Sequence, residues 1–267
     1  MKYNTVLTIA GTDPSGGAGI QADIKAISAC GCYATSAITA VLAQNTQGVT
    51  SILALPNKML KEQIIAVLDD IGTNAVKIGM LHSSETVNTV AKTLKEFNIS
   101  NIVLDPVMVA TSGDVLLEES AINTLKEVLI PMVRVITPNI PEAELLLGKK
   151  IHSQEDLPVF AKELSNNRQV SVLLKAGHLV DDELIDIFYN AETDETIELK
   201  SRRVKTENTH GTGCTLSSAL ASFLARGFNL NDAAREAKNY INNSIIEGAK
   251  YEIGKGHGPV HHFHKFW

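Results

Sequence analysis
The chain has 267 residues, 44% apolar and 20% charged, which suits one large α/β domain or two small ones with ample core; no linker, low-complexity tract or repeat divides it, so one domain is expected. A net charge of −6 argues against a general nucleic-acid-binding surface, and three cysteines without framework spacing argue against a secreted disulfide scaffold. No segment approaches an apolar membrane span, so a soluble cytoplasmic protein is expected.

Residues 6–10 form an apolar run too short for a signal peptide and read as a first buried strand. It feeds a glycine-rich loop, Asp13-Pro14-Ser15-Gly16-Gly17-Ala18-Gly19, and then a helix carrying Ile20, Ile24 and Ile27. Neither G-x-x-x-x-G-K-[ST] nor G-x-G-x-x-G fits, so the loop is not a Walker A turn. Residues 35–41 read as a second strand, ending in a loop, 43–48, that holds Gln44; 51–55 is a short strand. Leu60, Ile64, Ile65, Val67, Leu68 and Ile71 mark a helix closed by Gly72. A strand at 75–78 ends in Gly79-Met80, and Ser84 caps a helix running through Glu96. Residues 102–104 form a buried strand ending on Asp105, followed by a helix at 118–129. A strand at 133–136 ends in Thr137-Pro138-Asn139 before a short helix through Leu147. Ser153 caps a further helix with Asp156 three residues on, and a strand at 170–174 ends on Lys175. Residues 185–189 and 196–199 alternate and read as a hairpin. The last helix spans 232–246, before a glycine- and histidine-rich tail.

Between the hairpin and that helix lies Asn208-Thr209-His210-Gly211-Thr212-Gly213-Cys214-Thr215. Leu216, Ala219, Leu220, Phe223 and Leu224 follow at helical spacing, with Gly227 as the stop. Residues 211–214 therefore form a turn feeding a helix N-terminus, either a phosphate or oxyanion cradle or a plain glycine turn. Alternating strands and helices imply a mainly parallel sheet covered on both faces, with ligands at the carboxyl ends of the strands. Gly11, Gln44, Met80, Asp105, Asn139, Lys175 and the Gly211 turn all fall at such ends.

Asp105 and Glu142 suit Mg²⁺, Lys175 supplies a point charge for phosphates, and the glycine turn supplies backbone donors. Singly, each has an ordinary reading as a turn cap, a helix-start acid or a solvated charge; together they are the parts for phosphoryl transfer. Gln44 offers the donor–acceptor pair that an aminopyrimidine edge complements, or is a surface loop residue. Met80 lines the same pocket or fills core. Cys214, at a helix N-terminus, is expected to have a lowered pKa, and either helps deprotonate an attacking hydroxyl or holds the turn. A covalent thiol mechanism lacks its Cys/His/Asn partners, and Cys30 and Cys32 read as structural. The tail histidines 257, 261, 262 and 264 offer a metal-binding alternative without a second ligand cluster.

Several long motifs run in order almost end to end: residues 7–23, Ala43-Gln44-Asn45-Thr46, Lys77-Ile78-Gly79-Met80-Leu81, Leu104-Asp105-Pro106-Val107-Met108, residues 137–144, residues 208–216 and Gly256-His257-Gly258-Pro259. With these the chain resembles the bacterial hydroxymethylpyrimidine/phosphomethylpyrimidine kinases of thiamine biosynthesis, in the ribokinase-like superfamily. The resemblance implies a three-layer α/β/α fold, ATP and Mg²⁺, and two successive phosphorylations, on a hydroxymethyl oxygen and then on the resulting phosphate. It implies that Gln44 binds the pyrimidine with Gly11, Asp23, Met80 and Val107 around it. Asp105 and Glu142 would serve magnesium, and Asn139, Lys175 and His210 would serve ATP. Gly211, Thr212, Gly213 and Cys214 would form the anion hole. Pyridoxal and sugar kinases of the superfamily typically carry an aspartate base at the position of Cys214. Relatives often have glycine at Ala176, and many carry a lysine at Thr111, in a mobile segment spanning 108–114. The expected partners are the pyrimidine, ATP and a second copy of the chain in a homodimer, with no nucleic acid and no membrane. The rival readings are a pyridoxine or pyridoxal kinase and a non-catalytic pyrimidine-binding protein.

Overall fold
The computed structural model describes residues 2–108, 119–167, 169–179 and 181–267. Ten strands lie among them: β1 (Thr5–Ala10), β2 (Tyr33–Ile38), β3 (Ala40–Asn45), β4 (Gly48–Ala54), β5 (Ala75–Ile78), β6 (Ile102–Leu104), β7 (Val135–Ile136), β8 (Ser171–Leu174), β9 (Glu183–Asn190) and β10 (Glu195–Arg202). Eight form one sheet in the order β10-β9-β8-β7-β6-β5-β1-β2, parallel from β8 to β2, with β9 antiparallel to both its neighbours. The helices are α1 (Gly19–Ala29), α2 (Asn57–Asp70), α3 (Ser84–Glu96), α4 (Glu119–Thr124), α5 (Ile140–Leu147), α6 (Leu157–Leu164), α7 (Thr212–Ala225) and α8 (Leu230–Gly248).

The period-two alternation of a strand divides the core into two faces. Leu7, Ile9, Val76, Ile78, Ile102, Leu104, Val172 and Leu174 point to one cluster, where Leu60, Ile64, Val90, Leu94 and Ala161 of α2, α3 and α6 cover them. Val6, Ala75, Val103, Val135 and Leu173 point to the other, covered by Ile27, Leu216, Leu220 and Ile241 of α1, α7 and α8. Both faces being dry explains why these strands read as unbroken apolar runs. The chain leaves β1 for β2 on one side and returns to β5 on the other, so the switch point lies between β1 and β5.

Residues 35–41 do not make one strand. Thr39 donates its N–H to Ala10 O (2.9 Å) and its hydroxyl to Met80 O (2.8 Å), which turns the chain off the sheet. β3 then pairs antiparallel with β4 as a separate ribbon, with a bulge at Ala43/Gln44, so Gln44 sits on this ribbon rather than at a sheet strand end. Ser83, not Ser84, caps α3, accepting from Thr86 N. After α4 the helix widens into a π turn, Leu125–Leu129, and tightens at Ile130–Met132, where Pro131 brings no N–H to the ladder. α7 starts at Thr212, four residues before its apolar stripe, and places Cys214 within its first turn. Thr111, most of the segment at 108–114, and the helix start at Glu118 lie outside the described residues.

Candidate active site
A cleft of about 1100 Å³ runs along the carboxyl ends of the parallel strands. That is more than one small ligand occupies and leaves room for two. At one end, near the β1/β5 switch, it is walled by Leu42 and Gln44 of the ribbon with Gly11, Met80 and Val107. At the other end it reaches Leu184 of β9 and Lys238, Asn242 and Ile246 of α8. Asp105, Glu142, Lys175 and residues 211–214 also line it.

The glycine turn is held open by close contact with the first loop. Gly211 has φ 76°, and a Cβ there would lie 1.7 Å from Gly17 O. Only glycine fits, and the turn leads directly into the 14-residue α7. The backbone N–H groups of Gly213 and Cys214 make no hydrogen bond to the described residues and stand at the positive end of the helix dipole, a ready seat for an anion. The first loop is built around Asp13, which accepts from Ser15 N (2.9 Å), Ser15 Oγ (2.7 Å) and Ala18 N (2.7 Å) and meets His210 Nε2 at 2.7 Å. Burial alone would raise the Asp13 pKa, but the hydrogen bonds from His210, Ser15 and Ala18 hold it below the usual carboxylate range. His210, read from sequence as an ATP contact, spends this ring nitrogen pinning loop to turn.

Asp105 is buried and accepts from Thr137 Oγ1 (3.0 Å) and Lys175 Nζ (3.1 Å). A Cβ on Gly213 would lie 3.2 Å from Asp105 Oδ2 and 3.3 Å from Lys175 Nζ, so turn, carboxylate and ammonium meet at one point. Asn139 and Glu142 form a capping box on α5: Glu142 N donates to Asn139 Oδ1 (2.9 Å), and Asn139 N to Glu142 Oε2 (2.8 Å). Burial pushes the Glu142 pKa up to about 7; Asp105 adds to this, while Lys175 and the backbone N–H groups of Asn139 and Met108 oppose it. For Lys175 burial would lower the pKa, but Asp105 and Glu142 raise it above the usual lysine range, so it stays cationic.

Under the turn lies a fully buried ion pair. Lys77 Nζ stands 2.9 and 2.8 Å from the two oxygens of Asp23, which also accept from Thr8 Oγ1 (2.6 Å) and Ser218 Oγ (2.7 Å). Every Asp23 oxygen is thus engaged in tying α1, β1, β5 and α7 together. Asp23, expected around the pyrimidine, is fully buried and is not among the residues lining the cleft, whereas its partner Lys77 is. Cys214 is half-buried beside this pair. Its pKa is raised to about 11 by burial, against the pull of Lys77 and with a push from Asp23 and Asp105. The lowering expected from the helix N-terminus is therefore overturned by desolvation.

A family model for phosphomethylpyrimidine kinase matches residues 13–261. The chain belongs to the phosphomethylpyrimidine kinase family. It is 44% identical over 268 aligned residues to a hydroxymethylpyrimidine/phosphomethylpyrimidine kinase of Escherichia coli, covering 100% of each chain. It is 43% identical to a thiamine biosynthesis bifunctional protein of Geobacter sulfurreducens, over 97% of this chain and 52% of that one. Among solved structures, the pyridoxal kinase of Staphylococcus aureus in complex with AMP-PCP and pyridoxal is similar with a TM-score of 0.88 and 29% identity, covering 99% and 95% of the two chains.

In this phosphomethylpyrimidine kinase chain the cleft brings together Gly11, Gln44, Met80, Val107, Asp105, Asn139, Glu142, Lys175 and residues 210–214. Sequence reading missed Lys77, whose signal was a charge inside a four-residue buried strand. It also missed Lys238, a buried lysine on the apolar face of α8 that donates to Asp186 Oδ2 (2.7 Å), and Arg203, which ties the loop after β8 by donating to the carbonyls of Gly177, Leu179 and Asp181. Asp186 Oδ1 accepts from Ala176 N (2.8 Å), which fixes the strand end bearing Lys175. The tail histidines do not gather: His262 Nε2 meets Thr215 Oγ1 (3.0 Å) and His264 Nδ1 meets Ser244 Oγ (3.1 Å). Among the described residues no group of three or more His, Cys, Asp or Glu is placed to hold a metal. Cys30 and Cys32 are buried, and burial pushes the Cys30 thiol up to about 12.

Proposed function
We propose that the chain transfers the γ-phosphoryl group of ATP to the hydroxymethyl oxygen of 4-amino-5-hydroxymethyl-2-methylpyrimidine, and then a second one to the resulting monophosphate, in thiamine diphosphate biosynthesis. The observation that carries this reading is Gln44 on the wall of the same cleft as the Gly211–Cys214 turn. An amide that can pair with an aminopyrimidine and a seat for a transferring phosphoryl group belong to one reaction. A non-catalytic binder would need neither Lys175 nor the open N–H groups.

The pyrimidine stacks against Met80 and Val107 and is oriented by Gln44, so that its 5-substituent points along the cleft toward the turn. ATP lies toward β9 and α8, and Lys175 neutralises its phosphates. The N–H groups of Gly213 and Cys214 receive the charge on the transferring group, where fixed donors act most strongly. Asp105 and Glu142 fit a magnesium ion: two carboxylates next to bound phosphates are what this cation takes, and burial leaves Glu142 short of countercharge. Held there by Asp105 and Glu142, Mg²⁺ would supply positive charge against the phosphates. A thiol with a pKa near 11 is neutral at physiological pH and a weak base. A dissociative transfer asks little of a base, and the second acceptor, a phosphate monoester with a pKa of about 6, needs none. One site can thus serve both acceptors.

We place the enzyme in the cytoplasm, acting on small molecules and not on nucleic acid, as a homodimer. The outer face of the ribbon supports the dimer: Val41 and Leu53, cross-strand partners, are 45% and 65% exposed. The test of function is purified protein with Mg-ATP and either hydroxymethylpyrimidine or pyridoxal, with mono- and diphosphate resolved. Pyrimidine diphosphate is expected; turnover of pyridoxal alone would select the rival kinase. Gln44→Ala should raise the KM for the pyrimidine about tenfold or more with little change for ATP. Equal loss of both would show that Gln44 does not read the ring.

A further inference from the structure
The C-terminal tail takes no part in the chemistry above, yet it touches both halves of the acceptor site. The ribbon of β3 and β4 is hydrogen-bonded to itself as a separate sheet. Its base is anchored to the first loop: Thr12 N donates to Ala40 O (2.9 Å), and Leu42 N to Thr12 Oγ1 (3.0 Å). Its tip, two residues beyond Gln44, is held by the tail. Lys255 N and Gly256 N both donate to Thr46 Oγ1 (3.2 Å each), and His257 N donates to Thr46 O (2.8 Å). The approach is so close that a Cβ on Gly256 would lie 2.2 Å from Thr46 O.

The next residue reaches the other half. Gly258 O accepts from His210 N (3.0 Å), the residue before Gly211, and Pro259 continues this as a parallel bridge to His210. Beyond it the tail is fastened to α7 and α8. His262 Nε2 meets Thr215 Oγ1, Tyr240 OH donates to His262 O (2.7 Å), and His261 N donates to Ser244 O (2.9 Å). Asn208 Nδ2 secures its root by donating to Gly248 O (2.8 Å) and Tyr251 O (2.7 Å). Three consecutive tail residues, 256–258, therefore span from the ribbon tip to the anion turn.

We propose that residues 254–262 are a strap that sets the position of Gln44 relative to the Gly211–Cys214 turn, making Thr46 and Gly256 positioning residues for acceptor recognition. This rests on the pyrimidine being read by Gln44. A ribbon anchored only at its base pivots at its tip, and a small shift of a recognising amide forfeits an aligned acceptor. The strap's other end is fastened to α8, but residues 254–258 bond to Thr46 and His210 and not to β8, β9 or α8, so changes at Thr46 or Gly256 leave the nucleotide end in place.

The test compares Thr46→Val and Gly256→Ala with the wild type in the full chain. Backbone hydrogen exchange of residues 40–54 is measured without substrate, and KM is measured for hydroxymethylpyrimidine and for ATP. Gly256→Ala is expected to speed exchange in 40–54 but not in β5 or β6, and to raise the pyrimidine KM about tenfold with ATP within about twofold. Thr46→Val keeps the bond from His257 and should shift both readouts in the same direction by about threefold. Unchanged exchange in 40–54 in both variants, or equal rises in the two KM values, would overturn the strap. A wild-type protein that ignores the pyrimidine would instead sink the proposed function, and the exchange data would still report whether the tail holds the ribbon.

Discussion
Cys214 shows how far the surroundings can override a local rule. The helix N-terminus favours a thiolate, but removal from water and the carboxylates of Asp23 and Asp105 win, and the thiol stays protonated near pH 7. The residue was legible in the sequence as the end of a glycine turn; its charge state was not, because burial is a property of the folded whole. Cys214→Ala is expected to slow transfer to either acceptor by less than about tenfold, because a protonated thiol is not the base and the backbone N–H groups of the turn remain. Single-turnover rates with each acceptor check this; a loss of about 100-fold confined to the hydroxymethyl acceptor would make the thiol a base after all. Glu142 makes a second residue-scale prediction. Its folded pKa of about 7 exceeds the reference 4.5, so between those values the native state holds a proton that the unfolded chain has lost. Stability of the metal-free protein should therefore fall as pH rises from about 4.5 to 7, and Mg²⁺ should restore it mainly above that window. Melting temperatures with and without Mg²⁺ at pH 5.5 and pH 8 test the sign, and equal Mg²⁺ increments at both would reject it.

At the scale of elements, what could be read early was what is locally determined. Helix periodicity after Gly211 and the stop at Gly227 are encoded within α7 itself. The break at Thr39 is not: it comes from bonds to Ala10 and Met80, which are distant in the chain. β3 alternates in burial, but apolar Val41 and Ala43 stand at its exposed positions, so the sequence shows no alternation and 35–41 looked like one strand. The capping box of α5 joins both kinds of information, since it caps a helix and aims a carboxylate. Asn139→Ala should lower stability by about 1 kcal/mol, the usual worth of such a cap, and should also weaken Mg²⁺ binding because Glu142 loses its orientation. Calorimetric titration with Mg²⁺ and a nucleotide analogue reads the second effect, and unchanged affinity would reduce Asn139 to a cap alone.

For the whole molecule, the alternation of strands and helices gave the parallel sheet, and the rule of carboxyl ends gave the cleft. Sheet order, the antiparallel edge of β9 and β10, and the α8 wall lay beyond reach, since nothing local says which strands are neighbours. Lys238 and Asp186 illustrate this: they lie 52 positions apart and pair only because β9 and α8 pack together. The proposed dimer is also a whole-molecule matter. Leu53→Glu, on the open face of the ribbon, should yield a monomer by light scattering, and a particle mass unchanged from wild type would mean that the copies meet elsewhere or not at all. The position of the strap along the chain has a consequence for folding. Every strand and helix from β1 to α8 precedes residue 249, and Gly256 meets Thr46 across a separation of 210 residues. Such a closure costs loop entropy and rewards only a chain whose ends are already near each other. The ribbon tip is therefore expected to be fastened after sheet and cleft have formed.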